Sequence, residues 1–219
     1  MVETIMKAND KSVEFLKDWI ERNPDIDDMG VRGLLYQYES KKRISLVEAI
    51  KSTYPRELIC QLSRDSVLGG VILGYDIVTA KQMYREAKEH YNLVANLPKE
   101  ARLLIGERIL RKNKYEFTHY AWKYLIICRR NKKSANINIF KMLMDVAENE
   151  DFISDVFVEC IYFIQMFKPK FFTKTGSDEA LKEIWESKNE DGSYGVEPNY
   201  IAHQTALTIN ILKNYLYYI

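Results

Sequence analysis

Three carboxylates lie close together in the stretch RNPDIDDMGVRGLL, at Asp25, Asp27 and Asp28. Crowding between carboxylates, together with an apolar pocket, can raise the pKa of one of them so that it keeps its proton near neutral pH. A hydrogen bond to a neighbouring carboxylate can orient that proton, and the group is then suited to acid catalysis. Pro24 followed by acidic residues also suits the start of a helix, where the helix dipole favours negative charge, and that interpretation requires no catalysis.

A second stretch, DGSYG at residues 191–195, lies between an amphipathic helical segment and an apolar one. Gly192 and Gly195 permit positive φ angles and a close approach of the backbone to its neighbours. Asp191 can accept hydrogen bonds from the amide groups that follow it, and Tyr194 can stack over neighbouring helix ends. We expect this turn to connect one helical hairpin to the next. An ordinary glycine-rich connection between helices is the alternative.

The rest of the chain has to position these residues, and its apolar residues recur at helical spacing almost throughout. Proline, asparagine, glycine and charge clusters predict about ten helices joined by short loops. The predicted breaks fall at 23–24, 54–55, 97–98, 131–134, 149–150, 168–169 and 191–198. The segment 67–78 is β-branched and contains glycine, and we predict a buried helix there, with a strand as the alternative. We predict an all-α fold in a single domain over residues 1–219.

In the second half of the chain, predicted helices that are apolar on nearly every face alternate with amphipathic ones. The apolar segments are 117–128, 152–167 and 200–212, and the amphipathic segments are 136–148 and 178–188. A helix that is apolar all round must be surrounded by protein. Two concentric layers of helical hairpins would produce this alternation, because a single hairpin cannot bury its own apolar stripe. A plain helical bundle is the alternative.

The glycine-containing turn resembles the repeat of the α/α-toroid family, which includes squalene and hopene cyclases, class II terpene cyclases and the β subunits of protein prenyltransferases. In that family an outer helix leads into an Asp-Gly-Gly/Ser-aromatic-Gly turn, which is followed by an inner helix. The matching residues are Asn189, Asp191, Gly192, Ser193, Tyr194 and Gly195. The resemblance implies helical hairpins in an α/α-toroid-like arrangement, a partial barrel.

The acidic stretch resembles the Asp-x-Asp-Asp motif with which class II terpene cyclases protonate an alkene. By analogy, Asp27 is the proton donor, and Asp25 and Asp28 tune its pKa. Met29-Gly30 stands where the family usually has Thr-Ala. The resemblance implies acid-initiated cyclisation of a polyprenyl substrate in a hydrophobic cavity, where aromatic rings stabilise a carbocation. The candidate substrate-binding residues are Tyr36, Tyr38, Trp122, Tyr124, Phe157 and His203.

The stretch GVEPNYIAHQT resembles a part of the protein prenyltransferase β subunits in which the following Asp and Cys bind zinc. The corresponding residues here are His203 and Thr205. Threonine cannot replace a zinc-binding thiolate, and the sequence has no HExxH motif or paired Cys/His spacing. We therefore expect no metal and no other cofactor, and we expect His203 to make a polar contact. A prenyl-group transferase that has lost zinc is a further alternative.

The composition of the chain limits the classes of partner that we expect it to bind. A net charge of +1, with basic and acidic residues intermixed, predicts that nucleic acid is not a partner. No apolar run is long enough to span a bilayer and the N-terminal residues lack signal-peptide features, so we expect no transmembrane segment and a cytoplasmic location. Cys60, Cys128 and Cys160 have apolar neighbours and no CxxC pairing, which is typical of core cysteines in a reducing compartment.

Two classes of function remain open from the sequence. The first is a small terpenoid-cyclase-like enzyme whose partner is a hydrophobic small molecule such as a prenyl chain. The second is a non-catalytic helical module of the same fold that binds a peptide, a lipid or a second copy of itself. The first predicts that Asp27 faces an enclosed aromatic pocket, and the second predicts that residues 25–28 form an exposed turn.

Overall fold

A computed structural model describes residues 9–24, 30–54, 77–95, 106–150, 154–169, 177–196 and 198–216. Within these ranges the secondary structure is helical, and the nearest thing to a strand is an isolated antiparallel bridge between Lys188 and Tyr194. The prediction of an all-α fold is confirmed. In the described part of the chain, no helix combines the length and the apolar character needed to cross a membrane.

Nine helices, α1 to α9, occupy the described residues. In chain order they are Asp10–Arg22, Val31–Glu39, Leu46–Thr53, Ile77–Ala95, Glu107–Arg130, Ile137–Glu148, Asp155–Phe167, Ser177–Glu186 and Ile201–Leu216. Of the segment 67–78, only its last two residues are described, and they begin α4.

Several helix ends agree with the predicted breaks, whereas the break at residues 40–45, between α2 and α3, was not predicted. Helix α1 ends just before Asn23-Pro24, and α7 ends just before Lys168-Pro169, because proline cannot continue the backbone hydrogen bonding of a helix. Serine side chains cap two of the starts. Ser45 forms a capping box with Glu48 at the start of α3, and the Ser154 hydroxyl accepts a hydrogen bond from the amide of Phe157 at 3.1 Å in α7. The local sequence therefore determines where these helices begin and end.

Burial follows the predicted alternation. Residues 121–128 of α5, 202–212 of α9 and nearly all of 155–165 in α7 are buried. Helix α6 instead buries one stripe and leaves the opposite face exposed, as its apolar spacing predicts. Cys128 and Cys160 are buried, and Cys60 lies outside the described residues. The two-layer toroid arrangement remains a prediction.

Helix α9 connects distant parts of the chain, since it packs against α7, α2 and α1. The side-chain amide of Asn210 donates to the carbonyl of Leu34 in α2 at 2.9 Å, and that of Gln165 in α7 donates to the carbonyl of Ile211 at 3.0 Å. In the same core, the Tyr162 hydroxyl donates to the side chain of Gln37 at 2.7 Å. Hydrogen bonds inside an apolar core fix the register of these helices, because an unpaired polar group there is costly.

The turn at residues 189–195, here called the glycine turn, has the predicted internal geometry. Gly192 and Gly195 have φ angles of 92° and 98°. The Asp191 carboxylate accepts hydrogen bonds from the amide of Ser193 at 2.9 Å and from its hydroxyl at 2.7 Å. The side-chain amide of Asn189 donates to the Ser193 hydroxyl at 3.0 Å and to the carbonyl of Gly195 at 2.9 Å. The turn is therefore tied together by its own side chains.

The glycine turn also contacts the first and the last helix of the described chain. The Ser12 hydroxyl of α1 donates to the carbonyl of Gly192 at 2.6 Å, and a Cβ atom on Gly192 would lie 2.7 Å from the backbone of Lys11. On the other side, the amide of Tyr194 donates to the hydroxyl of Thr205 in α9 at 2.9 Å. The close approach that glycine allows thus joins α1 to the start of α9.

Candidate acid–base site

An acidic cluster, consisting of Asp155, Glu159 and His203, lies where α7 meets α9. Asp155 is the first residue of α7, next to the capping Ser154, and the helix dipole favours a negative charge at that position. Glu159 lies one turn further along, and residues four apart share a helix face. His203 belongs to the first turn of α9, which packs against α7. Helix α9 therefore brings His203 next to two acidic residues of α7, the first of which lies 48 positions earlier in the chain.

Within the acidic cluster, Asp155 and His203 form a buried pair. The Nδ1 atom of His203 lies 3.0 Å from Oδ1 of Asp155, and the two residues are 7% and 2% exposed respectively. The predicted polar contact of His203 is therefore present. Glu159 is partly exposed, and ligand-type atoms of the three residues all lie within 4.8 Å of one another. Two carboxylates thus compete for one imidazole in a poorly solvated region.

The environment of Glu159 changes the pKa of its carboxyl group. Burial, and then the negative charge of Asp155, raise the pKa of the Glu159 carboxyl to about 7, although His203 acts in the opposite direction. Thr118 also contacts this carboxyl. The hydrogen bond of Thr118 favours the charged carboxylate and so acts towards a lower pKa, but the effects of burial and of Asp155 are larger. Glu159 can therefore hold or release a proton close to neutral pH.

Glu159 lines an open pocket of about 200 Å³, here called the acidic pocket. The pocket is lined by Tyr115, Glu116, Thr118, His119, Trp122, Glu159 and Phe163. The rings of Trp122 and Phe163 stack with their centroids 5.1 Å apart. Neither Asp155 nor His203 lines the cavity, so they lie behind Glu159. The site thus presents one proton-bearing carboxyl to a small cavity with aromatic walls.

The same three residues could hold a divalent cation, since carboxylate and imidazole are common metal ligands. Ligand atoms around a tetrahedral ion with bonds of about 2.1 Å lie about 3.4 Å apart, which is comparable to the spacing here. Each side chain already has a partner within the protein, however: Asp155 and His203 bond to each other, and Glu159 contacts Thr118. A proton on Glu159 offsets the excess negative charge without breaking the bond between Asp155 and His203, so the acid–base interpretation is favoured.

The structure separates the residues that the sequence singled out. The predicted acid, Asp27, and its neighbours Asp25 and Asp28 lie outside the described residues. Two of the predicted substrate-binding residues belong to the site, since Trp122 lines the acidic pocket and His203 belongs to the acidic cluster.

The other four predicted substrate-binding residues lie elsewhere. Tyr36 lies on α2 and is 44% exposed, whereas Phe157 lies on α7 and is buried in the hydrophobic core of the protein. Tyr38 is buried beneath the Lys213 ammonium, which lies 5.3 Å from its ring centroid. Tyr124 accepts a hydrogen bond from the amide of Asn136 at 2.9 Å and packs against the ring of Tyr84. The structure therefore does not gather the predicted aromatic residues around one cavity.

Asp155 and Glu159 belong to none of the sequence motifs described above. They are two acidic residues, four apart, in the segment 152–167, which is otherwise apolar on nearly every face. Carboxylates are seldom fully buried unless they are paired, so acids on an all-apolar helix are themselves a signal of a buried polar site. Their partner, His203, lies in the segment 200–212, which is also apolar on nearly every face. Polar residues on two buried helices are a signal that they could be paired with each other.

In comparisons with known proteins, no family model, no curated protein and no solved structure matches this chain. The resemblance to the α/α-toroid family therefore remains a prediction that depends on the residues quoted for it.

Proposed function

We propose that the protein is a general acid–base catalyst in which Glu159 exchanges a proton with a small, largely apolar molecule held in the acidic pocket. The observation that carries this proposal is the position of Glu159, which lines an aromatic-walled cavity while its carboxyl lies within 4.8 Å of ligand-type atoms of Asp155 and His203. Catalytic acids need a pKa near the working pH, and a second carboxylate in a poorly solvated site supplies the required shift.

Each part of the site has a distinct role in this proposal. Glu159 is the catalytic residue, because it is the member of the acidic cluster that lines the cavity. Asp155 and His203 are positioning residues: the negative charge of Asp155 increases the proton affinity of Glu159, and His203 holds Asp155 in place through their hydrogen bond. Trp122 and Phe163 stack on each other, so only the parts of these rings that the stack leaves uncovered would stabilise positive charge that develops on a substrate after protonation.

The specific reaction we would test first is acid-initiated cyclisation of a prenyl chain. Two observations support it: the resemblance of the glycine turn to the α/α-toroid repeat, and the combination of a protonated carboxyl with aromatic walls that such chemistry requires. The cavity volume of about 200 Å³ lies below the range of about 300–1,000 Å³ for pockets that hold drug-sized ligands. The proposal therefore favours a short substrate over a long polyprenyl chain.

The test incubates purified protein with prenyl diphosphates of several lengths. Protonation of an alkene leaves the diphosphate attached, so the cyclised products are isomers of the substrate, and they are separated by chromatography and identified by mass spectrometry. The variants are Glu159→Gln, which keeps the shape but loses the proton, and Asp27→Asn, which removes the acid that the sequence predicted. Glu116→Gln is the matched control, because Glu116 lines the same cavity outside the acidic cluster. We expect conversion by the wild type, Asp27→Asn and Glu116→Gln proteins, and none by Glu159→Gln.

Two results would overturn the proposal. Loss of conversion in Asp27→Asn with retention in Glu159→Gln would assign the proton donor to the acidic stretch. No conversion of any substrate by the wild type would reject acid-initiated cyclisation. Elemental analysis of the same preparations tests the metal alternative: stoichiometric metal that is lost in Asp155→Asn would show that a cation, and not a proton, balances the acidic cluster.

A further inference from the structure

A second cavity, here called the cationic pocket, lies between α3, α5 and α7 and has a volume of about 320 Å³. Its walls are largely apolar, and they are formed chiefly by Leu46, Val47, Ile126, Met166 and Phe167. Trp122 also belongs to these walls and separates this cavity from the acidic pocket. The volume falls within the range of about 300–1,000 Å³ that is usual for small-molecule sites. An apolar chain or ring would gain free energy by leaving water for such a cavity.

The polar part of the lining is dominated by positive charge. Lys51, Arg129 and Arg130 all line the cationic pocket, and both arginines are exposed at the end of α5. The guanidinium of Arg129 lies 5.6 Å from the ring centroid of Phe167, which places a cation directly beside an apolar wall. All three basic side chains lie in the last turn of a helix, where the helix dipole also favours positive charge.

One acidic side chain, Glu48, lies near these cations: its pKa is lowered by hydrogen bonds from the amide and hydroxyl of Ser45 and, to a smaller extent, by the charge of Arg129. Within the described part of the chain, none of the three takes part in an ion pair. Glu48 lies on the same helix as Lys51, but its carboxylate already accepts hydrogen bonds from the amide of Ser45 at 2.8 Å and from its hydroxyl at 2.7 Å. Three basic side chains and one nearby carboxylate thus leave a net positive charge at the apolar interior of the cationic pocket, which can attract an anionic ligand.

We propose that the cationic pocket binds an anionic amphiphile, a single aliphatic chain that ends in a carboxylate. The chain lies against Ile126, Met166 and Phe167, and the carboxylate is bound by Arg129 and Arg130, whose guanidinium groups suit bidentate contact with it. A neutral chain would gain only the apolar contacts, and a cationic one would be repelled. This binding site is independent of proton exchange at Glu159, so either proposal can fail without the other.

The test measures binding of decanoate, 1-decanol and decylamine to the full-length protein by isothermal titration calorimetry. These ligands share one chain length and differ in the charge of the head group. We expect decanoate to bind about tenfold or more tightly than 1-decanol, which corresponds to about 1.4 kcal/mol or more, and decylamine to bind most weakly. The double variant Arg129→Gln/Arg130→Gln should lose this preference for decanoate while it retains the affinity for 1-decanol.

A matched control removes two positive charges elsewhere. Lys133 and Lys141 are exposed and line none of the cavities described here, so Lys133→Gln/Lys141→Gln should bind decanoate like the wild type. Glu159→Gln should also leave decanoate binding unchanged. Equal affinity of the wild type for decanoate and 1-decanol, an equal loss in both double variants, or no binding of decanoate would each overturn the proposal.

Discussion

The glycine turn and the acidic cluster both place polar groups among buried residues, but the two regions balance those groups differently. In the glycine turn, the Asp191 carboxylate and the Asn189 amide bond to groups of the turn itself, and the backbone bonds to Ser12 and Thr205 on either side. In the acidic cluster, two carboxylates share one imidazole. A polar region whose bonds are complete holds a fold together, whereas one with surplus charge and an opening can exchange a proton or bind an ion.

The largest effect is expected from a substitution that breaks the glycine turn. Gly192→Ala places a Cβ atom 2.7 Å from the backbone of Lys11 at a φ of 92°, so strain and steric overlap act together. We expect the free energy of unfolding to fall by about 3 kcal/mol, measured by urea denaturation.

Gly106→Ala is the matched control for Gly192→Ala. Gly106 also has a positive φ, of 81°, but a Cβ atom there would have no neighbour within 4 Å. Gly106→Ala should lower the free energy of unfolding only through backbone strain, by about 1–2 kcal/mol. Equal losses in the two variants would show that close packing against α1 contributes nothing to stability.

Replacement of Glu159 in the acidic cluster is expected to have a smaller effect, and to increase the free energy of unfolding at high pH instead of lowering it. Because the pKa of Glu159 is about 7 in the folded protein and about 4.3 in an unfolded chain, folding favours its protonated form. The stability that this proton contributes is complete below about pH 4 and is lost as the pH rises through 7. Glutamine mimics the protonated form at every pH. Glu159→Gln should therefore match the wild type near pH 4 and be more stable by about 2 kcal/mol at pH 8.

This pH dependence is measured by denaturation of both proteins from pH 4 to pH 8, with Glu116→Gln as the control. Glu116 lines the same cavity without belonging to the acidic cluster, so its replacement controls for the loss of a carboxylate from this cavity. A pH dependence for Glu159→Gln no larger than that for Glu116→Gln would contradict the surplus charge on which the contrast between the two regions depends.

The smallest effect is expected at Asp191 in the glycine turn. Hydrogen bonds from the hydroxyl and then the amide of Ser193 lower the pKa of this carboxyl. The contribution of the Asp191 carboxylate to the free energy of unfolding is therefore present above about pH 4, and it is lost as the pH falls through the folded-state pKa. Asp191→Ala should cost about 1 kcal/mol at pH 7 and less at pH 2, as judged by thermal unfolding. Glu190→Ala, at the exposed neighbouring position, should stay within about 0.5 kcal/mol of the wild type at both pH values.

Local chemistry in the sequence was sufficient to predict the helices and the glycine turn. Proline at 24 and 169, serine caps and the apolar spacing act over a few residues, and the helix ends and burial follow them. The same holds for Gly192 and Gly195, since a positive φ angle is a local requirement that glycine meets.

The acidic cluster could not be predicted in the same way. Asp155 and His203 are 48 residues apart, and their contact depends on which faces of α7 and α9 meet. Helical periodicity shows that both helices are buried but does not determine how they are rotated against each other. Trp122 was selected for its ring alone, whereas its position in the walls of both cavities results from the packing of α5 on α7.

The bond between Ser12 and Gly192 joins residues that are 180 positions apart in the chain. During synthesis, the ribosome releases α1 long before the glycine turn exists, so α1 cannot make this contact until almost all of the described chain has emerged. Closing so long a loop delays folding, because its entropic cost precedes any gain from the contacts it permits. Docking of α1 onto the glycine turn is accordingly expected among the last steps of folding, and the surface of α1 that carries Ser12 stays open to chaperones until then.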